Sequence, residues 1–170
     1  MSTLVGNEFV NARPKFGYTA GAYYSYPLNS KLGIYSEFVG NFKGSKFNND
    51  IDEYSKIALF YLDMPLMLEF KLGEEKSSGI LVGINNSYLA LSSVFVGAQR
   101  KAAFNEIALK RYDLGAVAYY HVYGDYVSFQ FGIKQSVLNA NNGVNFVDID
   151  PATGNNGPIR NLTFEIGMFF

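Results

Sequence analysis

From Leu62 to Leu72 every second residue is large and apolar: Leu62, Met64, Leu66, Leu68, Phe70 and Leu72. Between them stand Asp63, Pro65, Met67, Glu69 and Lys71. A helix, repeating about every 3.6 residues, would scatter the apolar set around its circumference. A strand sends alternate side chains to opposite faces and keeps the set together. The stretch 57–72 therefore predicts a long strand with one wholly apolar face, in which Pro65, lacking a ladder donor, marks a bulge or a weakly paired site.

The same period of two recurs along the chain. It predicts strands at 16–26, 32–42, 80–91, 111–123, 126–138 and 161–170. The connections alternate in length. Short turns are expected at 27–31, 73–78 and Gly124-Asp125, and long loops at 43–56, 90–110 and 139–159, with a short helical turn inside "RKAAFNEIALK". Strands of nine residues or more joined by alternating short and long connections are the pattern of a membrane-spanning β-barrel. No run of about 18 apolar residues offers a spanning helix.

Which face meets water decides between two barrels. A soluble, lipocalin-like barrel binding a hydrophobic ligand turns its apolar face inward and carries Lys, Glu and Thr outside. Here the non-apolar face is rich in Gly and Tyr, and charged residues make up only 17% of the chain against the roughly 25% usual for soluble domains. That face suits a crowded lumen better than bulk water. The expectation is one all-β domain over 1–170: a small antiparallel up-and-down transmembrane barrel in the bacterial outer membrane. In the usual orientation the short turns are periplasmic. Parity then asks for an eighth strand ahead of 16–26, with "STLVG" as its outer end and most of that first strand missing from this chain.

Inward-facing charges follow from the register: Glu37, Asp63, Glu69, Lys71, Arg111, Asp113, Lys134 and Glu165. An eight-stranded interior is just wide enough for side chains, so Glu37, Asp63, Arg111, Asp113, Lys134 and Glu165 are expected to pair in a lumen network rather than line an open pore. Tyr18, Tyr24, Tyr26, Tyr88, Tyr112 and Tyr120 face outward as an interfacial girdle. The single histidine, His121, falls near the periplasmic end with no nucleophile elbow nearby, which argues against hydrolysis and against a lipid-modifying enzyme. Oxygen-rich "NNDIDE" (48–53) and "DIDPATGNNG" (148–157) lack EF-hand spacing and read as solvated loops. The chain has no Cys and no phosphate loop. Its net charge of −1 and scattered basic residues give no nucleic-acid surface. No catalytic residue, cofactor or metal is expected.

The stretch "YLDMPLMLEFKL" resembles the signature strand of the PorT-like outer-membrane β-barrel family of Bacteroidetes. "GAYYSYPLNSKLGIYSEFVGNFKG" resembles that family's preceding hairpin. "GILVGINNSYL", "YDLGAVAYYHVYGDYVSFQFGIKQSVLN" and "NLTFEIGMFF" follow in its order. The resemblance spans about residues 16–170 and departs at the N-terminus, where the family's export signal and first strand would lie. It implies a non-enzymatic cell-envelope barrel, structural or interacting, with some members serving secretion or gliding machinery. The closing strand, with Phe164, Gly167 and Phe170, also looks like an outer-membrane assembly signal. The implied partners are outer-membrane lipid, the barrel-assembly machinery and a protein met through the extracellular loops.

Overall fold

The computed structural model describes residues 1–5, 12–48, 54–73, 77–96, 99–103, 110–138 and 160–170. Ten strands follow one another: β1 (Ser2–Val5), β2 (Ala12–Pro14), β3 (Thr19–Pro27), β4 (Leu32–Asn48), β5 (Tyr54–Leu72), β6 (Ser78–Val96), β7 (Gln99–Ala103), β8 (Tyr112–Val122), β9 (Ser128–Ser136) and β10 (Arg160–Phe169). All pairings are antiparallel, in the order β1-β10-β9-β8-β6-β5-β4-β2. β2 and β3 take successive stretches of one edge of β4, and β8 and β7 do the same on β6. The ten strands thus make eight staves, the even number expected of a bacterial barrel.

The ring closes through β1. Its residues pair with β10 from Ser2↔Thr163 to Val5↔Arg160, and Ser2 is bridged to Lys15 beyond β2 by two backbone bonds of 2.9 and 2.7 Å. Ser2–Val5, the described part of "STLVG", is therefore the outer end of the first stave. Below Met1, β3 and the last residues of β10 face one another without ladder pairing among the described residues, so the barrel is nearly closed.

Outside and inside are inverted relative to a soluble domain. Phe38, Leu66 and Ile166 are 57, 52 and 80% exposed, whereas Asp63 is fully buried. Only lipid makes that arrangement favourable, since it covers the apolar wall and leaves the polar groups to satisfy one another inside. The soluble barrel with an apolar interior is not favoured. The six outward tyrosines expected from the register are all exposed.

Local chemistry explains the ends. In the first periplasmic turn Asn29 Oδ1 accepts from the backbone nitrogens of Lys31 and Leu32, both at 2.8 Å. Gly73 leaves β5 at a φ of 74°, which favours glycine. The β4–β5 ladder lapses over Glu37 and Phe38, opposite Pro65 and Met64, and resumes in the same register. Ser36 Oγ donates to the Pro65 carbonyl there at 2.9 Å. The register shift lies elsewhere, on the β6 side between Phe60 and Tyr61.

Several boundaries differ from expectation. β4 runs on to Asn48 and β5 begins at Tyr54, so most of the 43–56 loop is strand. β6 continues to Val96, and Gln99–Ala103 is strand β7 rather than helix. Residues 104–109 of that helical expectation, and the oxygen-rich runs at 49–53 and 148–157, lie outside the described residues. The hairpin at Gly124-Asp125 is a five-residue connection, 123–127, although Tyr123 N still donates to Ser77 O at 2.8 Å and carries the β8 edge one residue further.

Candidate functional site

The interior is held by one branched set of ion pairs. Lys134 on β9 sends Nζ to Glu165 Oε2 on β10 at 3.1 Å and to Asp63 Oδ2 on β5 at 3.5 Å. Lys43 on β4 reaches the same Asp63 oxygen at 2.8 Å and lies over the Tyr61 ring. Asn41 Nδ2 donates to both carboxylates, 3.1 Å to Asp63 and 2.8 Å to Glu165. Tyr119 OH donates to Glu165 Oε2, the oxygen that also meets Lys134. Glu37 sits apart from this centre and accepts from Gln130 Nε2 at 3.1 Å.

Of the six charges expected in the lumen network, Asp63, Lys134 and Glu165 are directly joined, while Glu37 faces the same lumen and is held by Gln130. Asp113 belongs to an adjoining cluster, accepting from Ser136 Oγ and, at 3.1 Å, from Asn161 Nδ2, which also reaches Tyr61 OH at 3.3 Å. Arg111 is a correction. It precedes β8 at the extracellular end, is exposed, and points Nη1 at Tyr88 OH 3.0 Å away, because the strand begins one residue later than expected. Lys71 is half-buried, 4.0 Å from buried Glu69 at the periplasmic end. Lys43, which supplies the shortest ion pair among the described residues, falls outside the expected network because "KGSKF" reads as loop. The sign that could have found it is the unbroken alternation Tyr35, Glu37, Val39, Asn41, Lys43 on the inward face.

Charges buried this deeply are tolerable only when paired and hydrogen-bonded. Their close approach leaves little open space. Between Lys43, Asn85, Asp113 and Lys134 the cavity is about 10 Å³, room for one water. At the periplasmic mouth His121 is buried among rings, stacked on Tyr123 at 4.4 Å and edge-on to Tyr35 at 5.9 Å. Tyr123 OH donates to Glu69, and burial together with that carboxylate holds the phenol above its ordinary pKa. No hydrogen bond joins His121 to a serine among the described residues, and Ser136 is engaged with Asp113.

The second feature is the seam. A cavity of about 830 Å³ separates β3 from the lower half of β10, floored by Glu37, Val39 and Asn41. Met1 N donates to Phe164 O at 2.7 Å, and Phe164 N to Met1 O at 2.8 Å, so the β1 ladder reaches the top of this slot. Across it, the Tyr23 and Phe169 rings meet edge to face at 5.3 Å. Of the residues read as an assembly signal, Phe164 and Phe170 face outward and Gly167 lies opposite Gln130.

The profile of a family described as an outer membrane protein beta-barrel domain matches residues 1–138. No curated protein matches the chain significantly, and no solved structure does.

Proposed function

The chain belongs to the outer membrane protein beta-barrel domain family and is a small barrel of the bacterial outer membrane, and from that premise we propose that it acts without catalysis, as a structural or interaction protein of the cell envelope. The observation that supports this most is the filled interior. Lys134 ties β5 and β10 together through Asp63 and Glu165, so that at this level side chains cross the lumen and the cavity beside them is only about 10 Å³. What remains available for function is the lipid-facing wall and the extracellular ends.

The finer reading is an accessory of secretion or surface machinery, as the resemblance of "YLDMPLMLEFKL" to PorT-like barrels implies. In biogenesis, Phe164, Gly167 and Phe170 would present the last strand to the assembly machinery, whose open edge pairs with it before the barrel closes. Partner contacts would come through the extracellular loops.

Photo-cross-linking in intact cells tests this reading, with a benzophenone side chain at exposed Arg111 and a control at Asn29 in the periplasmic turn. A discrete envelope-protein adduct from the extracellular position is expected. Turnover of outer-membrane lipid by the purified barrel, abolished by His121→Ala, would overturn the non-catalytic reading.

A further inference from the structure

Three cations stand side by side near the extracellular end of the wall. Arg13 is directly opposite Lys46 in the β2–β4 register, and Lys46 is directly opposite Lys56 in the β4–β5 register. All three are exposed. The row continues into Phe95, opposite Lys56, whose Nζ lies 4.5 Å from the ring centroid. Lys15 adds a fourth charge; burial and the nearby Lys56 and Lys46 hold its ammonium below the ordinary value. None of these cations has an ion pair among the described residues, whereas Lys43 and Lys134 inside the barrel do. Like charges directly opposite one another across strands repel. Such a row needs an anion from elsewhere.

Its position says which kind. β4 and β5 have 17 and 19 residues, well beyond the nine to eleven or so that cross a bilayer. Four residues below Lys46 and Lys56, Phe42 and Phe60 pack at 4.5 Å, with Tyr18 on Phe42 at 4.4 Å. That aromatic row is the upper rim of the apolar wall, where ring side chains settle at the boundary of acyl chains and headgroups. Four residues of tilted strand raise the cations by roughly 10 Å, into the headgroup layer. We propose that Arg13, Lys46 and Lys56 form a binding site for the phosphate groups of an anionic outer-leaflet lipid, whose acyl chains lie on the Phe42–Phe60 wall below. The site rests on the outer-membrane barrel reading and adds a specific headgroup chemistry to it. A free phosphate would meet the same cations but gain nothing from the apolar rim.

The test refolds the chain into phosphatidylcholine vesicles with and without lipid A, and reads the temperature at which the folded band is lost. Lipid A is expected to raise that temperature for the wild type and for Lys46→Arg/Lys56→Arg. For Lys46→Gln/Lys56→Gln the apparent affinity should fall roughly fivefold per lysine removed. Inorganic phosphate alone should give no shift. An equal lipid A response in the Gln variant, or no response in the wild type, would overturn the site while leaving the barrel intact. The second result would point to neutralisation by the acidic 49–53 connection. A full response to inorganic phosphate would overturn the lipid assignment. A wild-type chain that stays soluble and inserts into no vesicle would overturn the barrel reading itself.

Discussion

Lys134 of β9 and Asp63 of β5 meet at 3.5 Å across the barrel, although β6 and β8 lie between their strands around the wall. The same ammonium holds Glu165 at 3.1 Å. One side chain thus fastens three staves through the interior, and its removal leaves Glu165 without a cation and Asp63 with Lys43 alone. Lys134→Ala is expected to destabilise the barrel by about 3–5 kcal/mol, because an unpartnered buried charge costs more than the pair contributes. With no Trp in the chain, the urea midpoint is best followed by circular dichroism in detergent. A change below about 1 kcal/mol, the level of an exposed pair, would show that the lumen is wetter than described.

The filled lumen carries a second expectation. Reconstituted into a planar bilayer, the wild-type barrel should show no steady conductance, since an eight-stave interior is occupied by its own side chains. Replacing Lys43, Lys134 and Tyr119 together by Ala should admit water and give a small ohmic current. A wild-type current of comparable size would contradict the packing around Asp63 and Glu165.

The seam makes a third. Met1 already carries the β1 ladder to Phe164, and the slot below lies between two strand edges without ladder pairing among the described residues, which is costly in lipid. A designed extension of about eight residues ahead of Met1, alternating apolar and small polar side chains, should pair with β10 and raise the thermal midpoint. The same extension with two internal prolines should not. Equal midpoints for the two extensions would mean that β3 and β10 close on each other.

Phe170 supplies a fourth prediction, and this one concerns biogenesis. Phe170→Ser should lower the fraction of chain found as a heat-modifiable band in outer membranes, while leaving the refolded barrel's stability within about 0.5 kcal/mol, as for a surface position. Loss of stability with normal assembly would make Phe170 an ordinary strand end.

The legible part of the fold is the part inside the bilayer. There every outward position must be apolar, so Leu62 to Leu72 or Phe129 to Ile133 alternate cleanly and the strands can be read directly. Above the apolar rim that demand ends. Gly44, Lys46 and Asn48, and likewise Gln99–Ala103, keep strand backbone without an apolar face, and their sequence resembles loop or helix. Lys43 falls outside the expected network for this reason, since the readable alternation of its strand ends at Phe42. Arg111 erred in the opposite sense, because extending the β8 alternation by one residue carried it nominally inward. The pair Glu165–Lys134 is readable beforehand, since the two lie diagonally on neighbouring strands, whereas the reach of Lys134 to Asp63 is not, since register on each wall does not say which charges meet across the lumen.

The central claim is that the apolar face points to lipid, and the cysteine-free chain allows a direct measurement. Single cysteines at Leu66, Met67 and Leu68, carrying a nitroxide, can be compared for collision with oxygen, which concentrates in the bilayer interior, in the reconstituted barrel. Leu66 and Leu68 are outward and Met67 is buried, so the account predicts high oxygen access at 66 and 68 and low access at 67. Protection at 66 and 68 with access at 67, in a chain that stays monomeric without detergent, would reverse inside and outside and contradict it.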